Sequence, residues 1–522
     1  MKLFKKIILY LEKIIFDINE IKFIFFKQVN NNNISLTDKN NILLSAQEED
    51  YYSLCLSTLF KIDKNLPRGK IILYLPLLCF TKLDPKKNFI LHLIVFNSKN
   101  LFIYLRNLKS KLLYKKNISN SLSLNNFNIF QEYKYINLAR DISSKIKNKK
   151  DLKNLKINNI KVGREIYDTF IRFSGKTTVD IENFFITEII SKILFIEKKL
   201  KPFINKNKIK NFYSRQSAYI QNGYILNLLL SKKINVFLTG SRNEYIYKYN
   251  GKHYHYPYNF RKYKKIFKTL KIKKQKILQA KKLLEERLKG RMVKQDLWID
   301  NYNKGNAYNG NEMTISKRNF KCVIFLHCFV DSPFMGGNII FDDYSDWIIK
   351  TLTFLANKNY SNSVIIKPHP DAKPDSIKFE NYLKNKFPKF NWLDRNVSNK
   401  NIFKKKINIG LTVRGNVIPE LAYHGVLPIA AGENISQSFS FVSTPKNQKE
   451  YFKSISKNIN IDHKKRMKLK KKEIYQLIYM SLIYNLDSTD YLAKRIDLKK
   501  INFNNSYSLN TFRKLYIKEI IH

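Results

Sequence analysis

The chain has 522 residues, 44% of them apolar and 14% aromatic, enough to close the cores of two to four domains at ~150 residues each. A disordered chain and a disulfide-stapled mini-protein are excluded, and 15 Gly with 13 Pro are too few for a collagen-like or linker-dominated one. Lys and Arg number 96 against 41 Asp and Glu, a net charge of +55, which expresses either the A/T-rich codons shared by Lys, Ile and Asn or a polyanionic partner.

Taken in chain order, Met1–Phe16 reads as an amphipathic helix, because Glu12 and Lys13 interrupt its apolar run and no small-residue cleavage site follows. No run of ~18 apolar residues occurs; the longest approaches, Ile71–Phe80 and Phe89–Phe96, have strand length. Cys55, Cys79, Cys322 and Cys328 show no CxxC pair, which points to an intracellular setting and away from metal. From Gly69 to Thr239 short apolar runs alternate with helical patterns: a strand at Lys70–Leu75, helices at Val179–Lys199 and Tyr224–Ser231, and a strand at Ile234–Leu238. Leu270–Leu288 reads as one basic helix closed by Gly290, and the polar stretch Asn301–Asn311 marks a domain boundary.

Beyond that boundary four apolar runs each end in an irregular segment. Cys322–Leu326 leads into His327–Gly337, Ser363–Lys367 into Pro368–Pro374, Ile407–Val413 into Arg414–Glu420, and Val426–Ala431 into Gly432–Ser436. Helical stretches at Tyr344–Lys358, Ile377–Phe387 and Val417–His424 separate them. Near-continuous apolar strands alternating with helices predict a doubly covered parallel sheet, with all four segments at its carboxyl edge, where such sheets bind ligands.

Arg414, Gly415 and Asn416 lead from strand to helix; Gly415 permits close backbone approach and Arg414 adds fixed positive charge, a combination suited to a diphosphate. Glu420 could accept from ribose hydroxyls. In Lys367-Pro368-His369-Pro370 two prolines fix where the imidazole points, so that His369 could donate to a phosphate or shuttle a proton. His327 and Asp331 share one loop and are the candidates for a general base acting on a hydroxyl. Asp342, Asp343 and Asp346 read as caps of the following helix rather than metal ligands. His424 and His463 read as helix-end residues, and His253 and His255 as part of an aromatic surface loop. Two polar-aromatic clusters, Gly163–Phe173 and Arg215–Gly223, fit either a polyol acceptor or a packed helix face.

Lys367–Pro370 followed by Gly415–Gly432, with His327–Phe334, Gly163–Thr169 and Tyr219–Tyr224, resembles the bacterial capsule and surface-polysaccharide glycosyltransferases of GT-B fold, over roughly Gly163–Tyr451. The His-Pro pair is also similar to one in capsular Kdo and sialic acid transferases and in teichoic-acid glycerophosphotransferases. The resemblance implies an α/β protein of two Rossmann-like domains, their parallel sheets facing a central cleft. Residues 1–310 would form the acceptor-side domain, with 1–150 carrying no recognised motif, residues 311–490 the donor domain, and residues 491–522 a tail packing back on the first domain.

It further implies metal-independent transfer from a nucleotide-activated sugar, a substrate rather than a cofactor, to a saccharide or lipid-linked acceptor in the cytoplasm or at the inner membrane face. Carried onto this chain, the resemblance puts His369 on the donor phosphate, Glu420 on the ribose or sugar, and Gly415 and Asn416 on the diphosphate. Together with the residues read above, the catalytic candidates are Asp331, His327 and His369, and the donor-binding ones Lys367, His369, Arg414, Gly415, Asn416 and Glu420. The competing readings are transfer of a polyol phosphate from a CDP-linked donor, and a basic protein that binds nucleic acid or anionic lipid around a vestigial cleft; no nucleic-acid motif supports the latter.

Overall fold

The computed structural model describes residues 41–45, 71–114, 120–125, 128–214, 217–239, 246–251, 260–271, 273–289, 311–313 and 319–484. The expected helix at Met1–Phe16, Arg215 and Gln216, the loop with His253 and His255, the stretch 301–310 and the tail 491–522 lie outside them. Two compact units are present; of the described residues, those in 41–170 and 180–251 form one, and those in 171–179 and 260–484 the other.

The first unit is built on strands β1 (Asn41–Ser45), β2 (Ile71–Leu75), β3 (Asn120–Ser123), β4 (Ile209–Ser214), β5 (Asn235–Thr239) and β6 (Ile246–Lys248) in the order β3-β2-β1-β4-β5-β6. All pair in parallel except β6, which runs antiparallel to β5. Its helices include α1 (Phe89–Tyr114), α2 (Ile129–Ser143), α3 (Gly163–Ser174), α4 (Phe184–Lys206) and α5 (Ile225–Ser231). The segment Phe89–Phe96, of strand length in the sequence, is instead the first part of α1. Its buried stripe is His92, Phe96, Asn100, Ile103, Asn107 and Ser110, which has the helical period but hides it behind four polar residues. Deep in the same unit Glu188 of α4 accepts from the Thr81 hydroxyl at 2.9 Å and from the Lys82 backbone N–H at 2.8 Å, so its buried carboxylate is satisfied.

The second unit has strands β7 (Asn319–Phe325), β8 (Val364–Lys367), β9 (Asn391–Trp392), β10 (Lys406–Thr412) and β11 (Leu427–Ala430), all parallel, in the order β9-β8-β7-β10-β11. Helices α6 (Lys273–Leu288), α7 (Tyr344–Asn357), α8 (Pro374–Lys386), α9 (Val417–Tyr423), α10 (Gln448–Asn458) and α11 (Lys471–Tyr479) belong to it. Alternate residues feed two cores: Cys322, Ile324, Val364 and Ile366 pack in one, Val323, Phe325 and Ile365 in the other. Each of the fully buried aliphatic side chains among them, Val323, Ile324, Val364, Ile365 and Ile366, contributes about 1.5–3 kcal/mol.

The units divide at residue 251 rather than at 301–311, because α6 turns Ala280 and Leu284 into the core of the second unit. The expected basic helix Leu270–Leu288 is α6, which starts at Lys273; Leu270 is extended and follows a separate short helix, Tyr263–Thr269. Asp343 caps α7 as expected, its Oδ1 accepting from the Asp346 N–H at 2.9 Å. Gly425, in the left-handed region at φ +90°, closes α9 with a bond from its N–H to the Ala422 carbonyl at 3.1 Å. Cys322 lies buried in β7 and Cys328 in the loop that follows it.

Candidate functional site

In the second unit the strand order reverses between β7 and β10, which leaves a crevice beyond their carboxyl ends. His327 follows β7, His369 follows β8 and Arg414 follows β10. The structure therefore brings these three to one edge, and the charges of His369 and Arg414 both act on His327.

His327 is built into the strand ends. Its Nε2 lies 3.1 Å from Thr412 Oγ1 and accepts from the backbone N–H groups of Val413 at 3.2 Å and Arg414 at 3.4 Å. The ring stacks on Tyr344 with centroids 4.5 Å apart and meets the edge of Trp347. With Nε2 accepting, the proton of the neutral ring sits on Nδ1. Burial, then the charges of His369 and Arg414, push its pKa well below the ordinary histidine value. The expectation that His327 is a general base is corrected on this geometry: the lone pair a base needs is occupied by backbone donors.

A stability consequence follows. The unfolded chain protonates His327 below about pH 6.5 while the folded chain does not, so stability present above that pH is lost as pH falls, by at most about 1.4 kcal/mol per unit for this group. Burial likewise lowers His369 and His463. Melting of the wild type between pH 7.5 and 5 is expected to show a steep acid decline that His327→Gln makes shallower by about one proton's share. An unchanged slope in that variant would refute this assignment.

His369 has the opposite tautomer. Its Nδ1 accepts from the Asp371 N–H at 3.1 Å, which places the proton of the neutral ring on Nε2, and no described residue hydrogen-bonds that nitrogen. Burial is the main cause of its lowered pKa. At neutral pH it thus presents an N–H donor. The carboxylate of Asp331 acts electrostatically on His369 and on Lys373 and takes no hydrogen bond from a described residue. Its loop is pinned by Ser376, whose Oγ accepts from the Val330 N–H at 3.2 Å.

Lys367 and Arg414 differ in what they leave available. The buried Lys367 ammonium donates to the Arg395 carbonyl, and burial, with the Arg395 charge, lowers its pKa to about 8. It is a structural tie, so the expected donor contact from Lys367 is not made available. Arg414 donates from Nη2 to the Gly337 carbonyl at 3.1 Å, while its buried Nε and Nη1 have no acceptor. Gly336 lies flush on the guanidinium; a Cβ there would sit 2.2 Å from Nη1. No described carboxylate forms an ion pair with Arg414.

Gly415 and the exposed Asn416 precede α9, which has only seven residues and no side-chain cap, so its macrodipole is small. Glu420, buried in the first turn of α9, is held by Arg287 of α6 at 3.0 Å. Its expected ribose contact would therefore be made by a carboxylate already paired.

In the first unit the two polar-aromatic clusters meet. The Ile220 N–H donates to Thr169 Oγ1 at 3.0 Å, Asn227 donates to Glu165 at 3.1 Å, and Gly223 packs against the Ser217 carbonyl. Tyr219, at φ +62°, opens a π-helical turn over Tyr219–Tyr224 in which Asn222 is buried.

Sequence reasoning missed Arg395, Glu380, Ser376, Thr412, Lys373 and Arg287. Arg395 follows β9, a two-residue strand whose only signal is Trp392-Leu393; the others lie on helices or strands as single polar letters.

No family model matches the chain, and no curated protein does. Among solved structures it is similar to a glycosyltransferase from Rickettsia africae at 11% identity and TM-score 0.28, covering 93% of this chain and 99% of that one. A UDP-GlcNAc 2-epimerase from Methanocaldococcus jannaschii gives 10% identity and TM-score 0.21, with 81% and 93% covered. Anabaena HepE, solved with UDP and glucose, gives 11% identity and TM-score 0.27, with 85% and 95% covered. The chain's own residues carry the functional reading.

Proposed function

We propose that this protein is a glycosyltransferase of surface-polysaccharide assembly that moves a sugar from a nucleotide-activated donor to a saccharide or lipid-linked acceptor. The observation that carries the reading is Arg414. It is a partly buried cation at the β7–β10 crevice with two orphaned N–H groups and no described counter-ion, an arrangement that an anion resolves.

On this reading Arg414, with the backbone at Gly415 and Asn416, takes the donor diphosphate, and Glu420 with its partner Arg287 borders the ribose. His369 donates its Nε2–H to a phosphate oxygen as the nucleotide leaves, which stabilises the charge that develops there. Asp331 accepts the proton of the acceptor hydroxyl as that oxygen bonds to the anomeric carbon and the bond to phosphate breaks. His327 holds the ends of β7 and β10 in register. The acceptor lies in the cytoplasm or at the inner membrane face in this proposal; no helix among the described residues is long and apolar enough to cross a membrane.

The test is melting of the full chain with UDP, CDP, GDP, ADP, CMP and CDP-glycerol. One nucleoside diphosphate is expected to stabilise it by about 2.7 kcal/mol at a hundredfold excess over Kd, and Arg414→Gln to weaken that ligand about tenfold or more. Stabilisation by none of them overturns the reading. A response to CDP-glycerol alone replaces it with polyol-phosphate transfer.

A further inference from the structure

We propose that Arg172 and Lys373 form a second anion site, which binds a carboxylate or phosphate carried by the acceptor saccharide beside Asp331. The site's position rests on the second unit itself, whereas its assignment to an acceptor rests on the transferase reading above.

Residues Ile171–Val179 belong to the second unit although most of the chain around them belongs to the first. Three contacts hold them there. Ser345 Oγ donates to the Thr177 carbonyl at 2.8 Å, Thr178 Oγ1 donates to Asp343 Oδ2 at 2.5 Å, and Gly175, at φ +74°, packs so that a Cβ would lie 2.7 Å from Asp375 Oδ2. The segment is thereby fixed against the starts of α7 and α8. It carries Arg172, half-buried, to the neighbourhood of Lys373, the exposed N-cap residue of α8.

The two cations act on each other. Burial first, and then the Arg172 charge, lower the Lys373 pKa, while Asp331 acts in the opposite sense. No described residue ion-pairs with either side chain, and neither has a hydrogen bond from its charged end to a described residue. The contrast with nearby Arg395, paired with Glu380, is informative. A diphosphate at Arg414 would answer that residue's charge and leave Arg172 and Lys373 without an ion-pair partner among the described residues; Asp375, beside Gly175, is paired with Lys378.

Folding two like charges together costs energy unless an anion joins them. A guanidinium fork beside an ammonium suits a planar carboxylate or a phosphate oxygen set. Because Asp331 acts on the same Lys373, an anion held there brings its own saccharide within reach of the proposed base. The substrate class is then an acidic or phosphorylated sugar, and a neutral sugar would leave the pair unanswered.

The experiment titrates glucuronate, glucose 6-phosphate and glucose into the full chain by calorimetry, with and without saturating UDP. At least one acid is expected to bind where glucose does not, with an affinity that UDP leaves unchanged. Arg172→Gln with Lys373→Gln is expected to weaken it about ten- to hundredfold while UDP binding stays as in the wild type, which also certifies folding. Binding of neither acid, equal binding of glucose, retention in the double variant, or competition by UDP each overturns the subsite. If no nucleotide binds but the acid does, the transferase reading fails and the anion site stands.

Discussion

His369→Ala is expected to lower turnover of a nucleotide-activated sugar by about 10²–10⁴-fold with little change in melting temperature. The two effects separate because the loop does not depend on the imidazole. Arg395 reaches the His369 carbonyl, which alanine retains, and the only side-chain bond lost is the one from the Asp371 N–H to Nδ1. One such partly exposed bond is worth about 0.5–1.5 kcal/mol. The catalytic loss is larger because Nε2–H, the only donor of the neutral ring, has no partner among the described residues, and the lowered pKa keeps the ring neutral at pH 7.

The loss should fall in kcat more than in KM, since the donor is proposed to strengthen its bond as phosphate charge develops. His369→Gln, whose amide also offers an N–H, is expected to recover part of the rate. Near-normal turnover in His369→Ala at full occupancy would remove the residue from the chemistry.

The parallel sheets and their carboxyl-edge segments were legible because unbroken apolar strands such as Cys322–Phe325 and Val364–Ile366 have few other uses. The same pattern singled out His369 and Arg414, since each stands immediately beyond such a run. It could not distinguish the two histidines, because which nitrogen of His327 or His369 a backbone N–H approaches is a matter of tertiary placement. Lys367 was misread for a related cause: a strand-end lysine looks available until the carbonyl of Arg395, 28 positions away, is brought to it. The domain boundary was misplaced because charge concealed the apolar stripe of α6, where only Ala280 and Leu284 are fully buried among many lysines. The helix α1 was hidden in the opposite way, by polar residues within its buried face.

Arg395→Met is expected to be the most destabilising single change near the site, by about 3–5 kcal/mol. The Arg395 guanidinium donates to Glu380, whose side chain is only 2% exposed, and to the His369 carbonyl, while the Arg395 carbonyl receives Lys367. One residue thus ties the loops after β8 and β9 to helix α8. Methionine fills similar volume but leaves the Glu380 carboxylate buried, with Oε1 already lacking an acceptor's usual donor. At about 2–4 °C per kcal/mol for a unit of this size, the melting temperature should drop by roughly 6–20 °C.

The pH dependence identifies the cause. Burial already raises the Glu380 pKa and Arg395 opposes that rise, so in Arg395→Met the carboxyl moves further up. A folded pKa above the unfolded value means the group's contribution is fully present below about pH 4.5 and is lost as pH rises through the folded pKa. The gap between variant and wild type should accordingly be narrower at pH 5 than at pH 8. Adding Glu380→Gln removes the stranded charge and should return much of the stability, so that the double variant loses well below the sum of the two single losses. If Arg395→Met melts with the wild type, or if the deficit is the same at both pH values and unrelieved by Glu380→Gln, the ion pair is not what positions His369.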